Sequence, residues 1–421
     1  MKTIAWLFLA TLLLQTSMAQ IPRVKPGIEI LRERNFDILA GKRAGLITNP
    51  TGVDSRLKST VDILHEAKNF QLVALFGPEH GVRGNFEGGD TIDTATDPQT
   101  GVPAYSLYGK TNTPTPEMLE GIDILVYDIQ DIGCRSYTYI STMGMAMGAA
   151  AERNIEFVVL DRPNPLGGLR IEGNLAEKGF MSNIGKFPIP YVYGLTCGEL
   201  AKLLNEEGML PSGKRCKLTV VPMEGWTRDM TYCETGLQWV PTSPHIPSES
   251  SPLYYVSTGI LGELQVISEG VGYTMPFRIL AADWIDPYLM ASRMNALNLE
   301  GVLFRPIVFK PFYGIHKQKE FKGVQIHITD ETKVNLMSIQ FRFMSVNNSV
   351  YPDKNPFILA DTSRIRSFDK AIGTDQIRKR FMEKMSYDDI KEYLNKDVNA
   401  FRTLSQKYYL YKTERGKRIK K

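Results

Sequence analysis

The sequence predicts an α/β fold in which a mostly parallel sheet forms an N-terminal domain and a smaller α+β domain follows. Four short apolar runs, rich in β-branched and aromatic residues, alternate with segments of helical periodicity. None of the runs shows the polar alternation of a half-exposed strand, as expected when helices cover both faces of a parallel sheet. The runs occupy residues 44–48, 72–76, 122–127 and 156–160. The N-terminal layout is therefore Rossmann-like.

The segments between and after these runs complete the N-terminal domain. Apolar residues at helical spacing predict helices near 28–39, 61–67, 138–153 and 198–206, and a further strand is predicted at 217–222. Thr196 has the position and residue type of an N-cap for the fourth helix.

The pattern changes near Ser251. Strand-like runs with few intervening helices occupy residues 264–268, 277–281, 302–309 and 323–329. Helices are predicted at 375–384 and 387–394, and apolar residues then continue at helical spacing through 401–410. We therefore predict an N-terminal domain over residues 20–250 and an α+β domain over 251–421 that completes the cleft.

The first 19 residues have the three-part pattern of a signal peptide. Lys2 precedes an apolar run over residues 4–14, and small residues end at Ala19. We expect cleavage there, a periplasmic or secreted location, and no integral membrane segment in the mature protein, because no later apolar run is long enough. The four cysteines are expected to be free thiols, since a chain of this size does not need disulfides.

Charge and motifs exclude several classes of function. The net charge of +4 is small for 421 residues, and basic residues cluster only in the tail 413–421, so no nucleic-acid partner is predicted. Neither a G-x-G-x-x-G motif after a strand nor a P-loop motif occurs, so no nucleotide cofactor is predicted. The five histidines lack metal-binding spacing, so no metal is predicted. No G-x-S-x-G motif supports a serine nucleophile.

Polar loops follow all four N-terminal strands and point to a functional site. Each is punctuated by glycine or proline, and they read NPTG (49–52), GPEHG (77–81), DIQD (128–131) and DRPNP (161–165). The carboxyl ends of parallel strands share one edge of the sheet, where such folds bind ligands. Glu79 and His80 lie in the second loop, and Arg83 follows them.

The first interpretation of these loops is that they form the active site of a glycoside hydrolase. Glu79 would protonate the glycosidic oxygen, with Asp128 or Asp131 as the second carboxylate. Carboxylates that lie close together raise the pKa of the one that acts as the general acid. Arg135 and Tyr137 follow the acidic pair and are expected to hold substrate oxygens. Trp239 lies in a proline-rich segment that is either a sugar-stacking wall or a surface loop anchored by tryptophan.

The same residues are consistent with two other hypotheses about function. A metal-dependent hydrolase would use Glu79, His80, Asp128 and Asp131, although His80 is better explained as an orienter of the acid. A non-catalytic module that binds a glycan or peptide would use the same cleft.

Several long motifs, in one order along the chain, resemble the NamZ-type exo-β-N-acetylmuramidases of glycoside hydrolase family 171. They are GLITNPTGVD (45–54), LFGPEHGVRG (75–84), SLYG (106–109), DILVYDIQDIGCRSYTYISTM (123–143), VLDRPNPLGG (159–168), YGLTCGELAKLLN (193–205) and SEGVGYTMPF (268–277). The resemblance implies a Rossmann-like catalytic domain, a smaller C-terminal domain, no cofactor, and release of terminal N-acetylmuramic acid from peptidoglycan-derived muramyl saccharides.

The same resemblance implies roles for individual residues. It makes Glu79 the catalytic glutamate. It also places substrate-binding residues in the remaining motifs, at Asn49, Arg83, Gln130, Arg135, Tyr137, Asp161, Arg162, Asn164, Tyr193 and Glu269. The chain departs from the family pattern at 192–194 and 270–273, which removes an arginine and a histidine from the expected pocket rim. Arg83, Arg135 and Arg162 are then the expected holders of the substrate carboxylate, and a related N-acetylhexosaminide or a peptide-bearing substrate stays open.

Overall fold

The computed structural model describes residues 24–84, 95–109 and 111–414, so the predicted signal peptide and most of the basic tail lie outside the described residues. The N-terminal part contains a seven-stranded sheet. Its strands are β1 (Arg43–Thr48), β2 (Gln71–Gly77), β3 (Ala95–Thr96), β4 (Pro103–Ser106), β5 (Ile124–Asp128), β6 (Glu156–Leu160) and β7 (Lys217–Val221). All neighbouring pairs are parallel except β3 with β4, which confirms the predicted α/β class.

The order across this sheet is β3-β4-β2-β1-β5-β6-β7. When only the six parallel strands are counted in chain order, the sequence across the sheet is 3-2-1-4-5-6, the doubly wound order. The chain reverses its direction of winding between β1 and β5, and doubly wound folds bind ligands at the carboxyl ends of the strands that flank such a point. This is the edge at which the loops after β1, β2, β5 and β6 meet. All residues of β5 are buried, as expected for a strand covered on both faces.

The helices that flank this sheet lie close to their predicted positions. They are α1 (Gly27–Glu33), α2 (Thr60–Glu66), α3 (Tyr139–Glu152) and α4 (Cys197–Glu206). Thr196 caps α4 as predicted: its hydroxyl accepts from the backbone N–H of Glu199, whose carboxylate accepts from the backbone N–H of Thr196. This reciprocal pair satisfies two donors that the first turn of the helix would otherwise leave unpaired.

The C-terminal part joins a three-stranded antiparallel sheet to a layer of helices. The sheet has the order β8-β10-β9, and the strands are β8 (Ile279–Ala282), β9 (Val302–Phe309) and β10 (Phe321–Ile328). The helices are α5 (Ser251–Gly262), α6 (Pro287–Ala296), α7 (Leu336–Val350), α8 (Pro356–Leu359), α9 (Thr362–Ile372), α10 (Gln376–Lys384), α11 (Asp388–Leu394) and α12 (Val398–Ser405). The smaller α+β class is confirmed, and α6 is the helix that lies between its strands, in agreement with the expectation of few intervening helices. The ranges of helices α5 to α9 were not predicted.

The predicted strand at 264–268 was wrong. Within that run only Ser268 pairs with a strand, through an isolated bridge to Ala281. Leu264 and Ile267 are fully buried in the core beneath α5. A buried irregular segment has the same apolar signature as a buried strand, so periodicity alone does not separate them.

The two parts of the chain share one core. Ile132, Cys134, Tyr191 and Val192 come from the N-terminal part, yet they belong to the same buried cluster as the helices and sheet of the C-terminal part. All four cysteines carry free thiols, as expected. No helix among the described residues is long and apolar enough to cross a bilayer.

Candidate active site

The turn after β2 presents Glu79 and His80 at the edge of the sheet. The backbone N–H of Gly81 donates to the carbonyl of Pro78 at 2.9 Å and closes the turn, and His80 has a positive φ of 73°. Gly77 permits the chain to fold back on the strand, because a Cβ there would lie 2.7 Å from the backbone nitrogen of Val82. Both Glu79 and His80 are half-buried. A rigid strand end therefore supports a carboxylate that remains open to a ligand.

Two tyrosines lie beside Glu79. Burial raises the pKa of Tyr108, and the charge of Glu79 and a hydrogen bond with it raise that pKa further. Burial also raises the pKa of Tyr139 well above its usual value, with contributions from Tyr137 and from the charge of Glu79. Tyr108 follows β4 and Tyr139 begins α3, so the connections after β4 and β5 bring one phenol into hydrogen-bonding contact with Glu79 and a second within the influence of its charge.

Tyr137 and Tyr139 join the connection after β5 to the proline-rich segment, residues 239–247. The Tyr137 hydroxyl lies 2.7 Å from Thr242 Oγ1, and the Tyr139 hydroxyl donates to the carbonyl of Thr242 at 2.5 Å. The two rings meet edge to face at 5.0 Å. Asn49 also hydrogen-bonds the Tyr139 hydroxyl, while its Oδ1 accepts from the Thr51 hydroxyl at 2.6 Å. The loop after β1 and the proline-rich segment are thus held against the same pair of phenols.

His245 of the proline-rich segment contacts the C-terminal domain and is influenced by the charge of His80. Burial lowers the pKa of His245, and the charge of His80 lowers it further. The Nε2 atom of His245 lies 3.0 Å from the hydroxyl of Tyr313, which belongs to the connection between β9 and β10. The connection between β9 and β10 therefore contacts the segment that contains His245. The predicted role of the C-terminal domain in completing the cleft stays a prediction.

Asp128 supports the fold of the loops and does not face the cleft. It has no exposed surface, and its two carboxylate oxygens accept from Arg162 at 2.5 and 2.9 Å. The hydroxyl of Thr60 donates to the same carboxylate at 2.5 Å, and Arg162 also donates to the carbonyl of Val53. Asp128 and Arg162 are therefore paired with each other in this structure. The catalytic role predicted for Asp128 and the substrate-binding role predicted for Arg162 stay predictions.

Asp131 is also buried, in a different environment. One carboxylate oxygen accepts from the backbone N–H of Gly133 at 2.7 Å and from the hydroxyl of Tyr193, whereas Oδ1 has no hydrogen-bond partner. Burial raises the pKa of Asp131 to about 7. The hydroxyl of Tyr193 donates to this interior carboxylate and the residue is 1% exposed, so its substrate-binding role stays a prediction.

Arg83 and Arg135 are likewise engaged within the protein. Arg83 binds both carboxylate oxygens of Asp97, at 2.9 and 3.0 Å, and also contacts Asp62 at 2.8 Å. Hydrogen bonds from Arg83 lower the pKa of Asp97 to about 2. Arg135 is fully buried and donates to four backbone carbonyls, two of them in α9 at Ala371 and Ile372. Both guanidinium groups thus have partners within the protein, and their predicted role in holding a substrate carboxylate stays a prediction.

Three polar side chains of the loops after β5 and β6 hydrogen-bond to other segments of the protein. Asp161 accepts from the hydroxyls of Thr196 and Tyr411, and burial raises its pKa to about 6. The amide of Asn164 donates to the carbonyl of Leu195 at 2.9 Å. The amide of Gln130 donates to the carbonyls of its neighbour and of Pro163. These three side chains connect segments of the protein to one another, and their predicted contact with substrate stays a prediction.

The contacts of Trp239 and Glu269 are with residues outside the turn after β2. The Trp239 indole donates to the carbonyl of Ile246 at 3.1 Å and packs edge to face on Tyr232, which favours the anchored-loop reading over the sugar-stacking wall. Glu269 packs over Gly262 of α5, and burial raises its pKa to about 7. Its neighbours are residues of the C-terminal domain.

Four residues of the site were not predicted from the sequence: Tyr108, Thr242, His245 and Tyr313. Tyr108 stands two residues after β4, and recognition of that short strand would have placed it at the same edge. The others come from irregular segments and carry no local signal. In the part of the chain that the structure describes, no group of three or more His, Cys, Asp or Glu residues is placed to hold a metal ion.

Comparisons with known proteins cover both halves of the chain. The family model for the N-terminal part of exo-β-N-acetylmuramidase NamZ matches residues 44–250, and the model for its C-terminal part matches residues 253–411. A peptidoglycan β-N-acetylmuramidase NamZ from Bacillus subtilis (strain 168) is 43% identical over 393 residues, which is 93% of this chain and 92% of the relative.

Two solved structures from Bacteroides fragilis NCTC 9343 have the same fold, and both are DUF1343 family proteins. One is 58% identical with a TM-score of 0.89, and the other is 29% identical with a TM-score of 0.72. Each comparison covers 93% of this chain and 99% of the solved chain.

Proposed function

Since the chain belongs to the NamZ family of exo-β-N-acetylmuramidases over both of its domains, we propose that it is a glycosidase acting on peptidoglycan fragments. It releases the terminal N-acetylmuramic acid from their non-reducing end. Full-length similarity to a peptidoglycan β-N-acetylmuramidase supports this substrate, since 93% of the chain takes part. The resemblance found in the sequence motifs is confirmed.

Glu79 acts as the general acid in this proposal. The supporting observation is its position: it is the half-buried carboxyl group at the end of β2, hydrogen-bonded by Tyr108 and close to Tyr139. In its protonated form Glu79 donates to the glycosidic oxygen, so that the bond to the anomeric carbon breaks and the rest of the saccharide leaves as an alcohol. Water supplies the new hydroxyl group at the anomeric carbon of the released N-acetylmuramic acid. The phenol of Tyr108 fixes the orientation of the carboxyl group, so that proton transfer needs little rearrangement.

A pair of chromogenic substrates tests this activity. The purified protein is incubated with an aryl β-N-acetylmuramide and with the matching N-acetylglucosaminide, each with and without EDTA. We expect release from the muramide in both conditions and much slower release from the glucosaminide. Release from neither substrate would refute the glycosidase, and release abolished by EDTA would favour a metal-dependent reaction.

Glu79→Gln tests the role of the acid. It keeps the shape of the side chain but cannot donate a proton, so kcat should fall by roughly 10²- to 10⁴-fold while muramic acid still binds. Glu66→Gln is the matched control, because Glu66 is a glutamate at the exposed end of α2 with a side chain 61% exposed. Full activity in Glu79→Gln would remove Glu79 from the chemistry.

Export to the periplasm or the medium is part of the same proposal. It rests on the pattern of the first 19 residues, and it would place the enzyme where wall turnover releases muramyl fragments. Mass spectrometry of the protein from its own host should find a mature chain that begins at Gln20. An intact N-terminus in the cytoplasmic fraction would contradict export.

A further inference from the structure

The connection between β9 and β10 carries a short apolar tip at the surface of the C-terminal domain. The backbone N–H of Gln318 donates to the carbonyl of Pro311 at 2.9 Å, and this bond closes the base of the apolar tip, residues 312–317. Within it Phe312 is 62% exposed, Tyr313 is 50% exposed and Ile315 is 68% exposed. Single exposed apolar side chains are ordinary on a protein surface, but three within four residues form a patch that favours contact with another apolar phase.

The apolar tip has a defined backbone conformation. The backbone N–H of Phe312 donates to the carbonyl of Gly272 at 2.7 Å, and the ring of Tyr273 stacks on Phe312 at 5.6 Å. The backbone N–H of Lys317 donates to the carbonyl of Gly314 at 3.1 Å, and Gly314 has a positive φ of 81°. This turn brings the chain back toward β10. A loop that is already ordered loses little conformational entropy when it binds.

Cationic side chains lie within and on both sides of the apolar tip in the chain. Residues 305–322 contain a single carboxylate, Glu320, and five cations: Arg305, Lys310, Lys317, Lys319 and Lys322. Two of these lysines have carboxylate partners, since Lys319 pairs with Asp283 at 2.9 Å and Lys310 lies 3.9 Å from Glu320. The segment keeps a positive charge when both carboxylates are counted. An anionic surface is therefore the complementary partner.

The apolar side chains indicate a lipid bilayer as that anionic surface. Ile315 is the most exposed of the three, and it has neither a hydrogen-bonding atom nor a ring that could stack on a sugar. A polymer of sugars and peptides therefore gains little from it, whereas the hydrocarbon boundary of a bilayer removes it from water. Tyrosine is favourable at the interface between lipid and water, and lysines bind the anionic headgroups.

We propose that the apolar tip inserts into the surface of an anionic phospholipid bilayer, with Phe312 and Ile315 among the outer parts of the acyl chains and the lysines at the headgroups. The attachment is peripheral, as no helix in the described part of the chain is able to span a bilayer. Its strength scales with the buried apolar area and with the attraction to anionic lipids, so a tip of this size binds weakly and reversibly. The inference goes beyond the proposed glycosidase function and does not depend on it.

Sedimentation with vesicles tests this attachment. The purified protein is mixed with sucrose-loaded vesicles of phosphatidylcholine, either alone or with phosphatidylglycerol. We expect binding to the vesicles that contain phosphatidylglycerol, weaker binding to phosphatidylcholine alone, and a loss of binding as NaCl is raised. Ile315→Ser should lower the partition coefficient about tenfold, and Lys317→Gln should lower it about fivefold.

Ile358→Ser is the matched control, because Ile358 is a 73% exposed isoleucine on α8, outside the apolar tip. It should bind vesicles as the wild type does. Ile315→Trp adds a reporter, and its extra fluorescence relative to the wild type should shift to shorter wavelength with anionic vesicles. Tyr313 is left unchanged, since its hydroxyl contacts His245. Hydrolysis of the soluble aryl β-N-acetylmuramide should be the same in Ile315→Ser as in the wild type.

Several results would overturn the attachment. They are a wild-type protein that does not sediment with anionic vesicles, equal sedimentation of Ile315→Ser and wild type, and a loss of hydrolysis in Ile315→Ser without a loss of vesicle binding. Sedimentation with purified peptidoglycan sacculi that Ile315→Ser lowers, in the absence of vesicle binding, would overturn it in favour of a wall polymer. A wild-type protein that binds vesicles as expected but hydrolyses neither aryl substrate would support the attachment and refute the proposed function.

Discussion

Replacing Asp128 with asparagine tests whether this carboxylate supports the fold or takes part in the reaction. The side chain has no exposed surface, and Arg162, which is 5% exposed, binds both of its oxygens. Asparagine has the same shape but leaves a buried guanidinium without a counter-charge. Removing one partner of a buried ion pair costs about 3–5 kcal/mol. We expect the free energy of unfolding of Asp128→Asn to fall by that amount.

Urea unfolding followed by tryptophan fluorescence measures this change, and turnover is assayed at a temperature where the variant stays folded. Glu206→Gln is the control, because Glu206 pairs with Arg215 at 3.0 Å where both side chains are largely exposed, 45% and 68%. That variant should differ from wild type by less than about 0.5 kcal/mol. The double variant Asp128→Leu/Arg162→Met removes both charges and should recover much of the loss.

One outcome would refute the structural role of Asp128. If Asp128→Asn has the same urea midpoint of unfolding as the wild type but loses turnover, the carboxylate acts in the reaction and the ion pair adds little to stability. Loss of stability with turnover retained at low temperature is the result that the buried pair predicts.

Two further predictions concern the loop after β5. Burial raises the pKa of Asp131 to about 7 from its usual 3.8, so the folded state disfavours the carboxylate and stability should fall as the pH rises from about 4 to about 7. Asp131→Asn should flatten the dependence of Tm on pH in that window, and an unchanged slope would contradict this. Gly133→Ala should lower the free energy of unfolding by at least about 2 kcal/mol, because φ is 79° and a Cβ would lie 2.2 Å from Asn164 Oδ1. Gly101→Ala, with a similar φ of 72° and no atom within 4 Å, is the control, and equal losses in the two variants would show that the contact is unimportant.

The parallel sheet was predictable because its signal is local. Buried strands such as β5 and β6 are apolar on both faces, and helical periodicity separates them, so their order along the chain is readable. The short edge strands β3 and β4 were not predicted, since four residues or fewer carry too little pattern. Without β4, the position of Tyr108 beside Glu79 was not accessible from the sequence.

The polar residues of the four loops show where local patterns stop being informative. Arg135 and Arg162 have the residue type and position of substrate-binding groups, yet each is buried and bonded inside the protein. A loop motif specifies which groups reach the edge of the sheet but not whether a side chain turns toward the cleft or the core. That direction depends on partners far along the chain, such as the carbonyl of Ile372 for Arg135.

The residues alone were therefore sufficient for the doubly wound sheet, for the edge at which its loops meet, and for the placement of Glu79 at the end of β2. These properties depend on short-range periodicity, strand termination and turn chemistry. The packed structure was required to pair Asp128 with Arg162 and to bring His245 into contact with Tyr313. Both arise from contacts between segments distant in the chain, which no local pattern encodes.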